Sequence, residues 1–347
     1  MTKKTVFVIG AGASKEVSLP TGAELKSIIA SLLDMRFNNF GSALQHGSYE
    51  IVQALRQKVM LPDRREGDIN PYLHEAWHIR DALPQAISID NFIDAHKENE
   101  KIALCGKLGI VKSILDAERQ SLLAIDEQRG DSTIDFRRLD KTWYIPFFQQ
   151  LTENCGKDDL LGRFQSVTLI IFNYDRCIEH FIFHALKNYY KIANEAAAEL
   201  VQAINIYHPY GHVGTLPWLK RNGSVVYGAD PHPEQLLDIA SKIKTFTEGT
   251  NPDSSKIIQI RNHMNELDRL VFVGFAFHKL NMQLLAPEDT EPQSKLDCFA
   301  TAHGISSSDQ EVIQDLLRSL YQRDIRIRMS SSTCSDFFNE YWRSLSF

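Results

Sequence analysis

Short apolar runs recur along the chain, and each is followed by a turn and a helical pattern. Runs of this kind are typical of strands that are buried on both faces, as in parallel sheets covered by helices. The alternation predicts an α/β fold, with a Rossmann-like, doubly wound and mainly parallel sheet. The expected strands are Val6–Ile9, Val167–Phe172, residues 204–207, residues 270–275 and one near residues 325–329, and LDCFATAHGIS, from Leu296, forms a further unit.

The stretch between the first two strands is too long for a simple crossover connection. It contains several segments of helical period, which predict a large helical insertion over residues 35–160. The 347 residues then form a single domain, 1–347, whose nucleotide-binding core consists of residues 1–34 and 161–347. Within that core, Gly22–Leu33 is expected to be a helix that begins after Pro20 and Thr21.

Composition and charge exclude several classes of protein. No apolar run approaches the roughly 20 residues that span a bilayer, and no signal-peptide pattern precedes the first strand, so a cytoplasmic location is expected. A net charge of -6 argues against a nucleic-acid-coating surface, and neither direct nucleic-acid binding nor membrane binding is expected. Five scattered cysteines without a C-x-x-C pair predict buried, reduced thiols rather than disulfides or a zinc site.

The sequence GAGAS follows the first strand directly. Glycines allow a close approach of the backbone to a phosphate, and a following helix N-terminus offers free N–H groups. The third glycine of the dinucleotide fingerprint is replaced by Lys15, and no P-loop motif is present. A plain strand-to-helix turn is the alternative to a phosphate site. The residues expected to bind phosphate are Gly10, Ala11, Gly12, Ala13 and Ser14.

Polar side chains stand at the end of the second predicted strand, in the sequence FNYD. Ligands of open α/β sheets bind at the carboxyl ends of the strands, so Asn173 and Asp175 are expected to face the same cleft as the glycine loop. The amide of Asn173 can both donate and accept, which suits a ribose hydroxyl or a water. Asp175 could equally cap the helix that follows.

A histidine-rich loop, HPYGH, follows the third predicted strand. His208 or His212 could take a proton from a sugar hydroxyl near neutral pH, and either could also have only a structural role. Pro209 and Gly211 exclude the helical face that would bring both histidines to one metal ion. No metal site is expected here.

A second glycine turn follows the fourth predicted strand, in VFVGFAFHKLN. Gly274 is expected to let the backbone approach a ligand, and Asn281 to lie at the same cleft. Phe275 and Phe277 are most simply core residues.

These motifs, in this order, resemble the sirtuin-like superfamily, and in particular the NAD-consuming domains of bacterial antiphage defence. GAGAS looks like the glycine loop of that family, FNYD like its strand-end Asn-x-Asp motif, and GFAFHKLN like its late glycine motif. SIDNFID, at residues 88–94, resembles a stretch of that family's helical insert near the nicotinamide end of the ligand. The resemblance implies that Asp90 helps to bind NAD. The motifs extend from residue 6 to about residue 305.

Three features depart from the family pattern. The chain lacks the four cysteines of the deacylase zinc module, and Leu19–Gly22 replaces the Pro-Asp-Phe-Arg element of the early loop. Both differences favour simple NAD cleavage over peptide deacylation. Tyr210 and Gly211 occupy the place of the family's His-Gly pair, so His208 or His212 could be the working histidine, or neither. His208 is narrowly preferred because it is closer to the strand end.

The resemblance implies an NAD+ hydrolase that cleaves the nicotinamide–ribose bond, with NAD as substrate and no metal. Asn173 would position the ribose or the attacking water, Asp175 would support it, and His208 or His212 would act on a hydroxyl. It also implies a switched effector of antiphage defence, expected to be a homo-oligomer with a possible HerA-like ATPase or Argonaute-like partner. The alternatives are a sensor that binds NAD or ADP-ribose without turnover, and an NAD-dependent deacylase. An oxidoreductase is less favoured because Asp34, its acidic-residue candidate, lies in a predicted helix.

Overall fold

The computed structural model describes residues 3–38, 43–63, 65–126, 133–220, 222–245, 248, 254–287, 295–321 and 324–347. The strands, numbered along the chain, are β1 (Thr5–Ile9), β2 (Arg36–Phe37), β3 (Leu44–His46), β4 (Val167–Ile171), β5 (Asn205–Tyr207), β6 (Arg269–Val273), β7 (Leu296–Thr301) and β8 (Ile325–Ser330). The α-helices are α1 (Ala11–Ser14), α2 (Gly22–Leu33), α3 (Tyr49–Lys58), α4 (Asn70–Ala82), α5 (Ile89–Ala95), α6 (Glu100–Gln120), α7 (Tyr144–Thr152), α8 (Leu160–Gln165), α9 (Cys177–Tyr190), α10 (Asn194–Ala203), α11 (Pro233–Lys242), α12 (Ser255–Glu266), α13 (Lys279–Leu284), α14 (Ser307–Leu320), α15 (Cys334–Glu340) and α16 (Trp342–Leu345).

The chain divides into two compact units. The first comprises Met1–Ser18, Ser121–Pro209 and Thr250–Phe347, and the second comprises Leu19–Gln120 and Tyr210–Gly249. The predicted insertion, residues 35–160, has different bounds from this second unit. Residues from Ser121 onward belong with the sheet because α7 packs on it, with the Phe147 ring centre 5.1 Å from that of Phe7 in β1.

The first unit contains a six-stranded sheet in the order β5-β4-β1-β6-β7-β8, and all five pairings are parallel. This is the doubly wound, Rossmann-like order, in which the chain runs outward from β1 first to one side and then to the other. The predicted fold class is therefore confirmed. The point where the direction reverses lies between β1 and β6, and in such sheets it is where ligands bind.

Apolar side chains of β1 alternate between two cores, one on each face of the sheet. Val6 and Val8 pack into a cluster with residues of α12 and α14, including Ile260 and Leu317. Phe7 points to the opposite face, where it contacts aromatic rings of α7 and α15. All five residues of β1, of β4 and of β6 are buried, as expected for central parallel strands covered on both faces.

The second unit is predominantly helical, with α6 at its centre. Gly106 and Gly109 of α6 allow neighbouring helices to come close, because a Cβ atom there would lie 2.7 Å from Ile93 and 2.8 Å from Ile29 respectively. The buried ammonium of Lys112 lies 2.9 Å from Asp116 and 3.4 Å from Asp230. This charge is therefore paired with carboxylates of the same unit.

Several local predictions are confirmed. Helix α2 has the predicted bounds, and Thr21 caps it in a capping box with Glu24. All five cysteines are free thiols, and four of them are buried. Among the described residues, no helix has both the length and the apolar character needed to cross a membrane.

Candidate functional site

Polar and glycine residues follow the carboxyl ends of neighbouring strands in the first unit. Gly10 follows β1, Asn173 follows β4, His208 follows β5 and Gly274 follows β6. Because the strands are parallel, these residues lie at one edge of the sheet, around the point where the strand order reverses. The sequence-predicted residues of this unit are therefore brought together at that edge.

Asn173 is held in the middle of this edge by its side-chain amide. Its Nδ2 donates to the carbonyl oxygen of Gly10 at 3.1 Å and to the Oγ of Ser14 at 3.2 Å. Since a carbonyl requires a donor, these contacts fix which amide atom faces the glycine loop. The Oδ1 of Asn173 is buried and has no hydrogen-bond partner in the part of the chain that the structure describes. A buried acceptor in this state calls for an explanation, and a bound water or ligand is one.

Asp175 contacts both the glycine loop and the start of α9. Its Oδ2 accepts from the Oγ of Ser14 at 2.9 Å, which extends the hydrogen-bond chain that begins at Asn173. Its Oδ1 accepts from the backbone N–H of Cys177, the first residue of α9, at 3.1 Å. Burial raises the pKa of Asp175, against the lowering effect of these hydrogen bonds.

His208 is buried, and both of its ring nitrogens contact the protein. Its Nε2 lies 2.6 Å from the Glu179 carboxylate, and its Nδ1 lies 3.3 Å from the backbone oxygen of Asn173. Both neighbours are acceptors, so the imidazolium, with two N–H groups, satisfies both contacts. Burial opposes that charge, but the Glu179 carboxylate outweighs it and the pKa of His208 is raised. This geometry favours a positioning role for His208 over the proton-accepting role expected from the sequence.

The His208–Glu179 pair predicts a stability that depends on pH. A raised pKa means that the folded state binds the proton more tightly than the unfolded state, so the stabilisation is complete below about pH 6.5. It is lost as the pH rises through the raised value. Glu179→Gln should therefore lower the free energy of unfolding by about 2 kcal/mol near pH 6, and by less at higher pH. Urea unfolding of both proteins between about pH 6 and pH 9 measures this difference.

Glu199→Gln is the matched control for that variant. Glu199 is an exposed residue of α10 in the same unit, so its replacement should change the free energy of unfolding by less than about 0.5 kcal/mol at every pH. A difference between wild type and Glu179→Gln that stays constant with pH would show that His208 is not charged by Glu179.

The two glycine turns of this edge pack directly on each other. The Gly10 N–H donates to the carbonyl oxygen of Val273, and the Gly12 N–H donates to that of Gly274, both at 3.0 Å. The Ala13 N–H donates to Gly10. A Cβ atom at Gly10 would lie 2.5 Å from the Gly274 oxygen. These glycines are therefore required for the contact between the two loops. The N–H groups of Gly10, Gly12 and Ala13, which were expected to bind a phosphate, donate to protein carbonyl groups.

The turn after β6 is held in an unusual conformation. Gly274 and Phe277 both have positive φ angles, 57° and 55°, and a bulky side chain rarely adopts this region. Phe275 and Phe277 are buried in the core, which confirms their predicted role and holds the turn in place. Asn281 is also buried, in α13 directly after the turn. Backbone strain of this kind clusters at functional sites.

Two predicted residues, Asp90 and His212, belong to the second unit. Asp90 is buried in the short helix α5, which Ser88 caps. Burial raises the pKa of Tyr210, and the nearby carboxylates of Asp90 and Asp94 raise it further. The SIDNFID segment and Tyr210 of the HPYGH loop therefore lie near each other within this unit. The half-buried His212 has its Nδ1 3.0 Å from the backbone oxygen of Gly214.

Three residues of the site in the first unit were not predicted. Glu179 is the partner of His208, Trp143 donates from its indole to the Ala13 oxygen at 2.8 Å, and the Oγ1 of Thr301 accepts from the Gly274 N–H at 2.8 Å. Glu179 has a sequence signal, because it is the one acidic residue in the mostly apolar run CIEHFIFHAL. The contacts of Trp143 and Thr301 depend on packing between distant segments and leave no such signal.

The fold and this site together define a Rossmann-like α/β protein with a polar asparagine network at the carboxyl edge of its sheet. No protein-family profile matches the chain, and no curated protein shows significant sequence similarity to it. The description of the site therefore depends on its own geometry. Among the described residues, no group of three or more His, Cys, Asp or Glu side chains is arranged to hold a metal ion.

Proposed function

We propose that the protein is an NAD+ hydrolase that cleaves the nicotinamide–ribose bond. The observation that carries this proposal is the unpartnered Oδ1 of Asn173, at the edge where doubly wound sheets bind nucleotides. A ribose hydroxyl, or the water that attacks the ribose, is a donor that would satisfy this oxygen. The resemblance of the GAGAS and FNYD motifs to sirtuin-like domains supports the same substrate.

The reaction needs little acid catalysis from the protein, because the nicotinamide ring is cationic in NAD+ and leaves as a neutral molecule. The oxygen of water forms a bond to C1′ of the ribose, while the bond between C1′ and the ring nitrogen breaks. The electron pair of that bond neutralises the pyridinium, and the water releases one proton to solvent. The products are ADP-ribose and nicotinamide. Orientation of the ribose and the water is then the main contribution required of the site.

Each residue of the network has a defined role in this proposal. Asn173 contacts the ribose or the water through Oδ1, and its Nδ2 contacts keep that oxygen in place. Ser14 and Asp175 hold the amide, and Glu179 and His208 hold the backbone of Asn173 from the other side. The half-buried Ala11 and Gly12 are the parts of the glycine loop that a dinucleotide would contact.

The same oxygen suggests that the enzyme is switched. Because Oδ1 is buried, a donor reaches it only after a local rearrangement of the loops around it. A closed resting state is what an NAD hydrolase needs inside a cell that depends on NAD. We therefore include in the proposal an activating step, through self-association or a partner such as a HerA-like ATPase or an Argonaute-like protein, as an effector of antiphage defence.

A nucleotide sensor without turnover is the second candidate function. The carboxylate of Asp175 accepts two hydrogen bonds, and both ring nitrogens of His208 contact acceptors. Neither group is therefore poised to take a proton from a ligand. A protein that only binds NAD or ADP-ribose would need no such group.

Product analysis distinguishes these functions. The purified chain is incubated with NAD alone and with NAD plus an acyl-lysine peptide, and nicotinamide and ADP-ribose are separated by chromatography. A hydrolase releases both products in equal amounts without peptide. Nicotinamide release only with peptide would show a deacylase. Binding of NAD by calorimetry without product, with and without candidate partners, would show a sensor.

A further inference from the structure

A second charged site lies at the opposite, amino edge of the sheet in the first unit. A cleft of about 350 Å³ opens there, and its lining includes Lys3, Arg269, Arg326, Arg328 and Arg343. Arg269 begins β6, Arg326 lies near the start of β8, and Lys3 precedes β1. This places the cleft across the sheet from Asn173, which follows the carboxyl end of β4.

The charge of this cleft contrasts with that of the chain. Asp297 is the one carboxylate side chain among its described lining residues, which leaves an excess of four positive charges there, whereas the whole chain has a net charge of -6. Asp297 lies between Arg269 and Arg326 in the strand register, and its Oδ1 is 3.5 Å from Arg328. Asp268, outside the lining, also acts on Arg269, but the lining itself has one carboxylate side chain for five cations, and clustered like charges repel unless an anion joins them.

Two of the four guanidinium groups, those of Arg269 and Arg328, are held in place by the fold. Arg328 lies over the ring of Phe299, 4.9 Å from its centre. Arg269 is 98% buried, with a relative exposure of 2%, and donates from Nη1 to Leu345 and from Nη2 to Ser346. Its third donor, Nε, is buried without a partner in the described chain. Two fixed guanidinium groups beside three exposed cations are suited to an anion with several oxygens.

We propose that this cleft binds a small ligand with an oligophosphate group, such as a nucleoside triphosphate. A chain of three phosphates carries about as many negative charges as the cleft has excess positive ones. The volume lies near the lower end of the range of about 300–1,000 Å³ for small-molecule sites. The cations are concentrated in one cleft rather than spread along a stripe, which favours a small anion over a nucleic acid.

Calorimetry with inorganic triphosphate and with ATP tests this proposal on the full chain. Arg326 and Arg343 are the cations to replace. Arg269 donates to Leu345 and Arg328 lies over Phe299, so replacing either of them would also remove contacts that hold the fold. Arg326→Gln with Arg343→Gln should weaken binding of both ligands by about 20-fold or more. Wild-type binding should also weaken as the salt concentration rises from about 0.05 M to about 0.5 M.

The matched control removes the same charge elsewhere on this unit. Arg138 and Arg318 are exposed and lie outside the cleft, so Arg138→Gln with Arg318→Gln should bind inorganic triphosphate like wild type. Asn173→Ala should also leave this binding unchanged. Unfolding temperatures of the three variants establish that each one folds.

Three results would overturn the proposal. The first is a wild-type chain that binds neither inorganic triphosphate nor ATP at millimolar concentration. The second is equal weakening by the cleft and control variants, or weakening by Asn173→Ala alone, which would place the anion elsewhere. The third is binding of a single-stranded oligonucleotide at this cleft without binding of inorganic triphosphate, which would make it a nucleic-acid surface. The test is independent of NAD turnover.

Discussion

Replacing Asn173 with alanine should lower NAD turnover by about two to three powers of ten. The expected loss is that of one preorganised hydrogen-bonding group at the reacting centre. The variant also removes the two Nδ2 contacts to Gly10 and Ser14, which should lower the free energy of unfolding by about 1–2 kcal/mol. Turnover is measured by the fluorescence of etheno-NAD, and folding by urea unfolding.

Asn265→Ala is the matched control for this experiment. Asn265, in α12, also has a buried Oδ1 that lacks a hydrogen-bond partner within the described residues, but it does not lie at the carboxyl edge of the sheet. Its replacement should leave NAD turnover within about twofold of wild type. Near-normal turnover by a folded Asn173→Ala protein would remove Asn173 from the reacting centre.

Gly274→Ala should destabilise the protein more than an added methyl group at Gly10 or Gly12. The added Cβ would lie 1.9 Å from the backbone nitrogen of Ala13, and the φ angle of 57° already disfavours a side chain. Since the contact is with backbone, no side-chain rotation relieves it. We expect a loss of more than about 4 kcal/mol, seen as a low unfolding temperature or loss of soluble protein.

Gly304→Ala separates the two causes of that effect. Gly304 also has a positive φ angle, 76°, but a Cβ atom there would meet no atom within 4 Å. Its replacement should cost only about 1 kcal/mol, from the left-handed backbone alone. Similar unfolding temperatures for the two variants would show that the close packing of Gly274 on the GAGAS loop does not hold this edge together.

The sequence predicts the sheet well because its central strands are mostly apolar, with one polar or charged residue in each. The runs at β1, β4 and β6 are buried on both faces, so a simple hydrophobic pattern identifies them. The limits of the second unit could not be predicted in this way. They depend on the packing of α7 against β1 and on the inclusion of residues 210–249, which are contacts between segments far apart in sequence.

The positions of the site residues could be predicted from the sequence, whereas their contacts could not. The strand-end rule places Asn173, His208 and Gly274 at one edge without knowledge of any contact. It does not show that His208 has a charged partner in Glu179, or that the Gly10 and Gly12 N–H groups donate to the turn after β6. Those facts depend on side-chain geometry and on packing between loops that are far apart in sequence.

Turnover of NAD by the purified wild-type chain would show whether the protein is an NAD+ hydrolase. Etheno-NAD is followed by fluorescence without peptide, alone and after addition of candidate partners, and NAD binding is measured by calorimetry on the same sample. The account predicts binding of NAD and release of nicotinamide and ADP-ribose in equal amounts. A folded chain that neither binds nor cleaves NAD under any of these conditions would contradict it.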